Sequence, residues 1–157
     1  MKNLAPAHPI IGEMDDVFFC PQSRHAGIPD EAMEEAENDG RLKLLAYGNE
    51  AGYSIFSTSD DRFIAHTGHP EYNATRLADE AKRDHGNPNV PPPVNFDFME
   101  PLNRWRSHRN TFFTQWVSYC YLKISTHDMS VKKDFMASPA DWAVRIFVLT
   151  CAFCALQ

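Results

Sequence analysis

Short apolar runs broken by polar turn clusters fill the first half of the chain, and a longer helical periodicity takes over only after Arg104. Val17, Phe18, Phe19 and Cys20 form an unbroken apolar run closed by Pro21. That pattern predicts a buried strand whose end opens into the loop Gln22, Ser23, Arg24 and His25. Pro29 and Asp30 begin a short helix through Glu37, acidic in its first turns, with Gly40 as its stop signal. Residues 42–47 and 53–57 read as strands. The turn residues Ser59, Asp60 and Asp61 join the second of these to a third at 62–67, so this pair predicts a hairpin. Asn73 is placed to cap a helix whose apolar positions Ala74, Leu77, Ala78 and Ala81 fall at i, i+3, i+4 and i+7. Arg76 with Glu80, and Asp79 with Arg83, add ion pairs across one turn, each contributing about 0.3 kcal/mol.

Five prolines, at 88, 91, 92, 93 and 101, force residues 86–101 into an extended loop, a segment suited to covering a neighbouring site. From Arg104 to about Ile124 the row Trp105, Phe112, Trp116 and Cys120 runs beside Phe113, Val117, Tyr121 and Ile124. This broad apolar stripe predicts a core-packing helix rather than an aromatic ligand box. Beyond Ser125 the pattern turns polar, offers a helix start at Ser138 to Asp141, and ends in an apolar terminus. No repeat or low-complexity tract interrupts it.

Composition narrows the function classes. A chain of 157 residues with 43% apolar content suffices for one domain, which at that size buries roughly 70% of its unfolded surface. The formal charge of -6, with no cluster of Lys and Arg, gives no footprint for nucleic acid or an acidic membrane. Cys20, Cys120, Cys151 and Cys154 are too unevenly spread for a disulfide framework, and the first residues lack the apolar core of a secretion signal. A cytoplasmic, reducing location is therefore expected. The apolar stretch 146–156 falls short of the roughly 20 residues needed to span a membrane. Cys151 and Cys154 have C-x-x-C spacing but no second ligand pair, so no metal site is expected.

The chemistry concentrates in Gly68-His69-Pro70-Glu71-Tyr72, between a predicted strand and a predicted helix. His69 and Glu71 stand two apart, so both side chains can reach one site. There the carboxylate would fix the imidazole tautomer while His69 takes a proton from a thiol. Taken alone, the triplet is also what an ordinary surface His beside a Glu looks like.

Five blocks in order give the triplet a context: Asp15-Asp16-Val17-Phe18, Pro21-Gln22-Ser23-Arg24, His66 to Tyr72, Lys82-Arg83-Asp84, and Arg104-Trp105-Arg106-Ser107-His108 followed by Phe112, Phe113 and Trp116. Together they resemble the homoserine O-acyltransferase (homoserine transsuccinylase) family over roughly residues 8–124. The resemblance implies an α/β fold, the C-terminal part of a class I glutamine amidotransferase-like (flavodoxin-like) three-layer domain. It implies residues 1–124 as the C-terminal half of that domain and 125–157 as a divergent tail. The implied reaction is ping-pong acyl transfer from an acyl-CoA (succinyl-CoA or acetyl-CoA) to a cysteine and then to the hydroxyl of L-homoserine, early in methionine synthesis. Acyl-CoA is a co-substrate and no cofactor is implied. His69 would be the general base, Glu71 its partner, and Arg83 the guanidinium that holds the amino acid's carboxylate. A homodimer is expected by analogy.

Departures from the family pattern set further expectations. The family shows Pro-His-Ser-Arg where this chain has Gln22, and none of the four cysteines falls in the context of the nucleophile. Cys20 occupies the place of an ordinary core residue. The cysteine turn, its oxyanion donors and the acyl-CoA pocket are expected upstream of Met1, and loss of such a nucleophile costs on the order of 10⁶ in turnover. The chain alone should then be nearly inactive. A glutamine amidotransferase would share the His-Pro-Glu element but has no use for the Trp105 block. A non-catalytic remnant acting as an interaction module is the third reading, since half of a parallel sheet would expose a long unpaired edge.

Overall fold

Two hairpins build the sheet. β1 (Lys2–Asn3), β2 (Leu42–Gly48), β3 (Gly52–Thr58) and β4 (Ile64–His66) lie in the order β1-β2-β3-β4 in a computed structural model that describes residues 1–24 and 26–126. His25, the helix start at Ser138 and the C-x-x-C pair lie outside the described residues. Every strand pair is antiparallel, which corrects the expectation of half a parallel sheet. The connections decide this, because the stretches 49–51 and 59–63 are hairpin-length and a parallel crossover needs a dozen residues or more.

The predicted hairpin at 53–67 is present, with Ile55 opposite His66 and Ser57 opposite Ile64. The run at 17–20, read as a buried strand, is not one. It makes a single antiparallel bridge, Val17 to Lys2, and Val17 is 64% and Phe19 48% exposed while Phe18 is buried. Among the described residues its neighbourhood pairs through the main chain with the first residues of the chain, Met1 with Phe18 and Asn3 with Asp16. The next amide, Phe19 N–H, is taken by a side chain, donating to His108 Nδ1 at 3.1 Å, so the ladder stops there.

α1 (Asp30–Asn38) lies against β2 and β3 and buries Met33 and Ala36. It ends as its sequence predicts, with Arg41 N–H reaching back to the Ala36 carbonyl and Gly40 at φ +69°, a left-handed position that favours glycine. α2 (Ala74–Arg83) starts at Asn73, whose side chain accepts the Arg76 N–H at 2.7 Å. The Arg76–Glu80 pair forms at 3.0 Å, but Arg83 closes a fork on its neighbour Asp84 in place of the expected Asp79 pair. Asp84 caps the helix end, where a planar guanidinium meets both of its oxygens.

The main core gathers Ile10, Ile11, Met14, Phe18, Leu45, Ala46, Ile55 and Phe112. Asn3 holds its loop side in place by donating to the carbonyls of Ile11 and Met14. α3 (Arg106–Thr126) enters this core through Phe112, with Phe113, Trp116 and Tyr119 packed against its edge. The second apolar row does not stay buried as expected: Val117 and Tyr121 are 60% and 70% exposed, and Leu122 is 61% exposed. Among the described residues, the core cluster reaches along α3 as far as Tyr119. Residues 86–101 form no helix or strand and wall a cleft of about 1830 Å³. Among the described residues no helix is long and apolar enough to cross a membrane.

Asp61 ties the second hairpin to the N-terminal loop. Its carboxylate accepts from Lys43 Nζ at 2.7 Å, Ser57 Oγ at 2.7 Å and His8 Nε2 at 3.2 Å. Its φ of +56° is one that Asp tolerates better than most residues. Burial alone would raise this carboxyl, but the three donors outweigh burial and hold it below its ordinary range. A lowered carboxyl contributes stability above the unfolded value near 3.9, roughly, and loses it as pH falls through the folded value. Asp61→Asn should therefore show a shallower acid limb than wild type in urea midpoints measured across the acid range. Asp61→Ala should cost about 2 kcal/mol at neutral pH.

Candidate active site

The His69 turn is held from three directions. β4 ends at His66, and Thr67 N–H still donates to Ser54 of β3 at 2.8 Å. His69 N–H then donates to the Pro21 carbonyl at 2.8 Å, joining this turn to the loop that follows residue 20. The join requires glycine at 68. A Cβ there would stand 2.5 Å from Gln22 Nε2, 2.7 Å from Cys20 Sγ and 2.9 Å from the Pro21 carbonyl, and a main-chain oxygen cannot step aside cheaply. From the third side, Trp105 Nε1 donates to the Tyr72 carbonyl at 2.7 Å, fastening the start of α3 to the same turn.

Within the turn, Nδ1 of His69 lies 2.9 Å from Glu71 Oε1, Nε2 lies 3.2 Å from the Ser23 carbonyl, and the Tyr72 ring stacks on the imidazole at 4.3 Å and 17°. His69 is buried and Glu71 about half exposed. Both polar partners are acceptors, whereas a neutral imidazole has one N–H to give. With that proton on Nδ1 and directed at Glu71, Nε2 carries the lone pair of a base. The Ser23 carbonyl then faces the lone pair at 3.2 Å, and no hydrogen bond joins the two in that tautomer.

A second carboxylate stands behind this pair. Glu80, 6% exposed on α2, accepts from Tyr72 O–H at 2.9 Å and from Arg76 at 3.0 Å on Oε1, and from Ser23 Oγ on Oε2. Burial pushes its carboxyl up, yet the hydrogen bonds from Ser23 and Tyr72 and the charges of Arg76 and Arg83 hold it below the ordinary range. Arg83 itself lies on the last turn of α2 with its fork on Asp84, three residues beyond Glu80. Arg24 reaches Thr67 Oγ1 and the Ala51 carbonyl. Gln22, the departure from the family pattern, has both amide atoms buried without a hydrogen-bond partner among the described residues.

Cys20 and His66 form a separate pair with Sγ and Nε2 3.8 Å apart. His66 accepts the Gly68 N–H on Nδ1 at 3.1 Å, so its proton sits on Nε2, which leaves no lone pair to take the thiol's proton. Burial first, and the nearby His69 second, bring the His66 imidazole down to about 4. Burial, followed by the charge of Glu71, pushes the Cys20 thiol up to about 12. Neither group is poised for nucleophilic chemistry. Among the described residues, no group of three His, Cys, Asp or Glu side chains is placed to hold a metal ion.

Sequence reasoning singled out His69, Glu71 and Arg83; the first two are in contact and the third is near Glu80. Glu80, Ser23 and Tyr72 were not singled out. The available signal for Glu80 was a carboxylate flanking the narrow apolar stripe of Leu77, Ala78 and Ala81.

Comparison with known proteins covers this whole region. The family model for homoserine O-succinyltransferase matches residues 1–126. The chain belongs to the homoserine O-succinyltransferase family. It is 37% identical over 122 residues to the homoserine O-succinyltransferase of Proteus mirabilis, covering 74% of this chain and 38% of that protein. The Tolumonas auensis homoserine O-succinyltransferase is 35% identical, over 87% of this chain and 44% of the relative. The homoserine O-acetyltransferase of Lysinibacillus sphaericus is also 35% identical, over 70% and 36% respectively. The chain thus spans about two fifths of the length of the relatives it matches.

For a member of the homoserine O-succinyltransferase family the state of Cys20 is open to direct test. A thiol at about 12 is ionised in roughly one molecule in ten thousand at pH 8. Iodoacetamide should leave Cys20 unmodified in the folded chain and alkylate it only after denaturant is added, as read by peptide mass spectrometry. Rapid alkylation of Cys20 in native buffer would contradict the pairing described above.

Proposed function

We propose that residues 1–124 supply the histidine and carboxylate of a Cys-His-Glu triad that transfers an acyl group from succinyl-CoA or acetyl-CoA to the hydroxyl of L-homoserine. The carrying observation is the 2.9 Å contact between His69 Nδ1 and Glu71 inside a block that matches the family. On this reading a cysteine thiol supplied by a segment outside this chain gives its proton to His69 Nε2. Its sulfur attacks the acyl-CoA carbonyl, and the coenzyme's thiol leaves with that proton. The homoserine hydroxyl then gives a proton to the same nitrogen and attacks the acyl-enzyme carbonyl, and the cysteine sulfur leaves with that proton as a thiol. Glu71 holds the other proton on Nδ1 throughout, so that Nε2 is the nitrogen that takes and returns protons.

Arg83 takes the carboxylate of the amino acid, exchanging its fork on Asp84 for the substrate. The domain is a class I glutamine amidotransferase-like, flavodoxin-like three-layer fold completed by that other segment, acts in the cytoplasm as a homodimer, and uses no cofactor beyond acyl-CoA as co-substrate. The state of Cys20 supports an external nucleophile, because its thiol is buried and faces an imidazole with no lone pair to offer. The acyltransferase names of the relatives favour this chemistry over amide hydrolysis.

Two assays test the reading. The chain alone should transfer no acyl group from succinyl-CoA or acetyl-CoA to homoserine, and turnover that disappears in Cys20→Ala would relocate the nucleophile to this chain. With the remaining segment of the Proteus mirabilis relative joined to it, activity should appear and His69→Ala should reduce kcat on the order of 10⁶-fold. In the same joined protein, Arg83→Ala should raise the homoserine KM with little change in kcat. An unchanged KM removes Arg83 from the site.

A further inference from the structure

We propose that Glu80 is a positioning residue for His69, fixing through Ser23 and Tyr72 the two surfaces between which the imidazole lies. The inference rests on the reading of His69 as the base, and it assigns a task to a group that this reading does not use. One oxygen of Glu80 holds the Tyr72 hydroxyl at 2.9 Å, and the ring of that tyrosine stacks on His69 at 4.3 Å. The other oxygen holds Ser23 Oγ, and the main-chain carbonyl of that serine stands 3.2 Å from Nε2.

Tyr72 is fixed at its other end as well, donating its N–H to the His69 carbonyl at 3.1 Å and accepting from Trp105 at 2.7 Å. A carboxylate with 6% exposure is a costly choice for a helix position that an alanine or leucine would fill without penalty. Its oxygens are spent on the two residues that bound the imidazole, plus Arg76 on the outer side. Glu71 sets which nitrogen carries the proton, and Glu80 sets where the ring lies.

Nitrogen-15 NMR of the full chain separates the two roles, because the ring nitrogens report the tautomer and the carbon-bound protons report the ring current of Tyr72. Glu71→Gln should move the His69 nitrogen shifts toward those of a tautomer mixture while keeping the ring-current shift. Glu80→Gln should abolish most of the ring-current shift and broaden the ring signals, with the signals of His8 and His108 unmoved. His69 signals identical to wild type in Glu80→Gln overturn the inference. If instead Glu71→Gln leaves His69 unchanged, the dyad itself fails, a result independent of Glu80. Should Glu80→Gln not fold, Tyr72→Phe removes one arm alone. Loss of stacking there supports the assignment, and retained stacking overturns it.

Discussion

The site depends on one close approach of main chain to main chain, where Gly68 passes the Pro21 carbonyl and His69 N–H bonds to it at 2.8 Å. Neither segment belongs to the other's strand pair, so the sheet alone does not bring them together. The approach places the loop carrying Ser23 against the imidazole and the Cys20 thiol against His66 in a single step. It is also the reason that two histidines three residues apart behave differently. His66 points into the core beside Phe112, at a ring separation of 5.1 Å, while His69 turns toward Glu71.

The polar groups of the site divide along the same line. On one side a neutral thiol and a neutral imidazole share an apolar pocket, and burial removes both from acid-base work near neutral pH. On the other side the buried Glu80 carboxylate stays charged because it has donors in Ser23, Tyr72 and Arg76, while the half-exposed Glu71 faces the imidazole. Isolated ions would be unaffordable at this depth, and the network of donors is what makes Glu80 tolerable.

Features written locally were legible in the residues. α1 with its Gly40 stop, the Asn73 cap, the Arg76–Glu80 pair and the hairpin at Asp60 and Asp61 each follow from neighbours in sequence. The misreadings share a cause as well. Val17 to Cys20 have the composition of a strand, but a strand needs a partner, and β1 offers two residues before His108 takes the next amide. Val117 and Tyr121 have core periodicity on a helix that extends past the core formed by the described residues. His69 and Glu71 were visible as a pair because they are two residues apart. Glu80 was not, because its partner Ser23 lies 57 positions away and only the fold brings them into contact.

The indole bond from Trp105 to the Tyr72 carbonyl carries a mechanical consequence. α3 begins at the next residue, so the helix and the stacked histidine turn share a fixed joint. A displacement of α3 would act on that joint as a lever. The imidazole, stacked on Tyr72, would tilt with it.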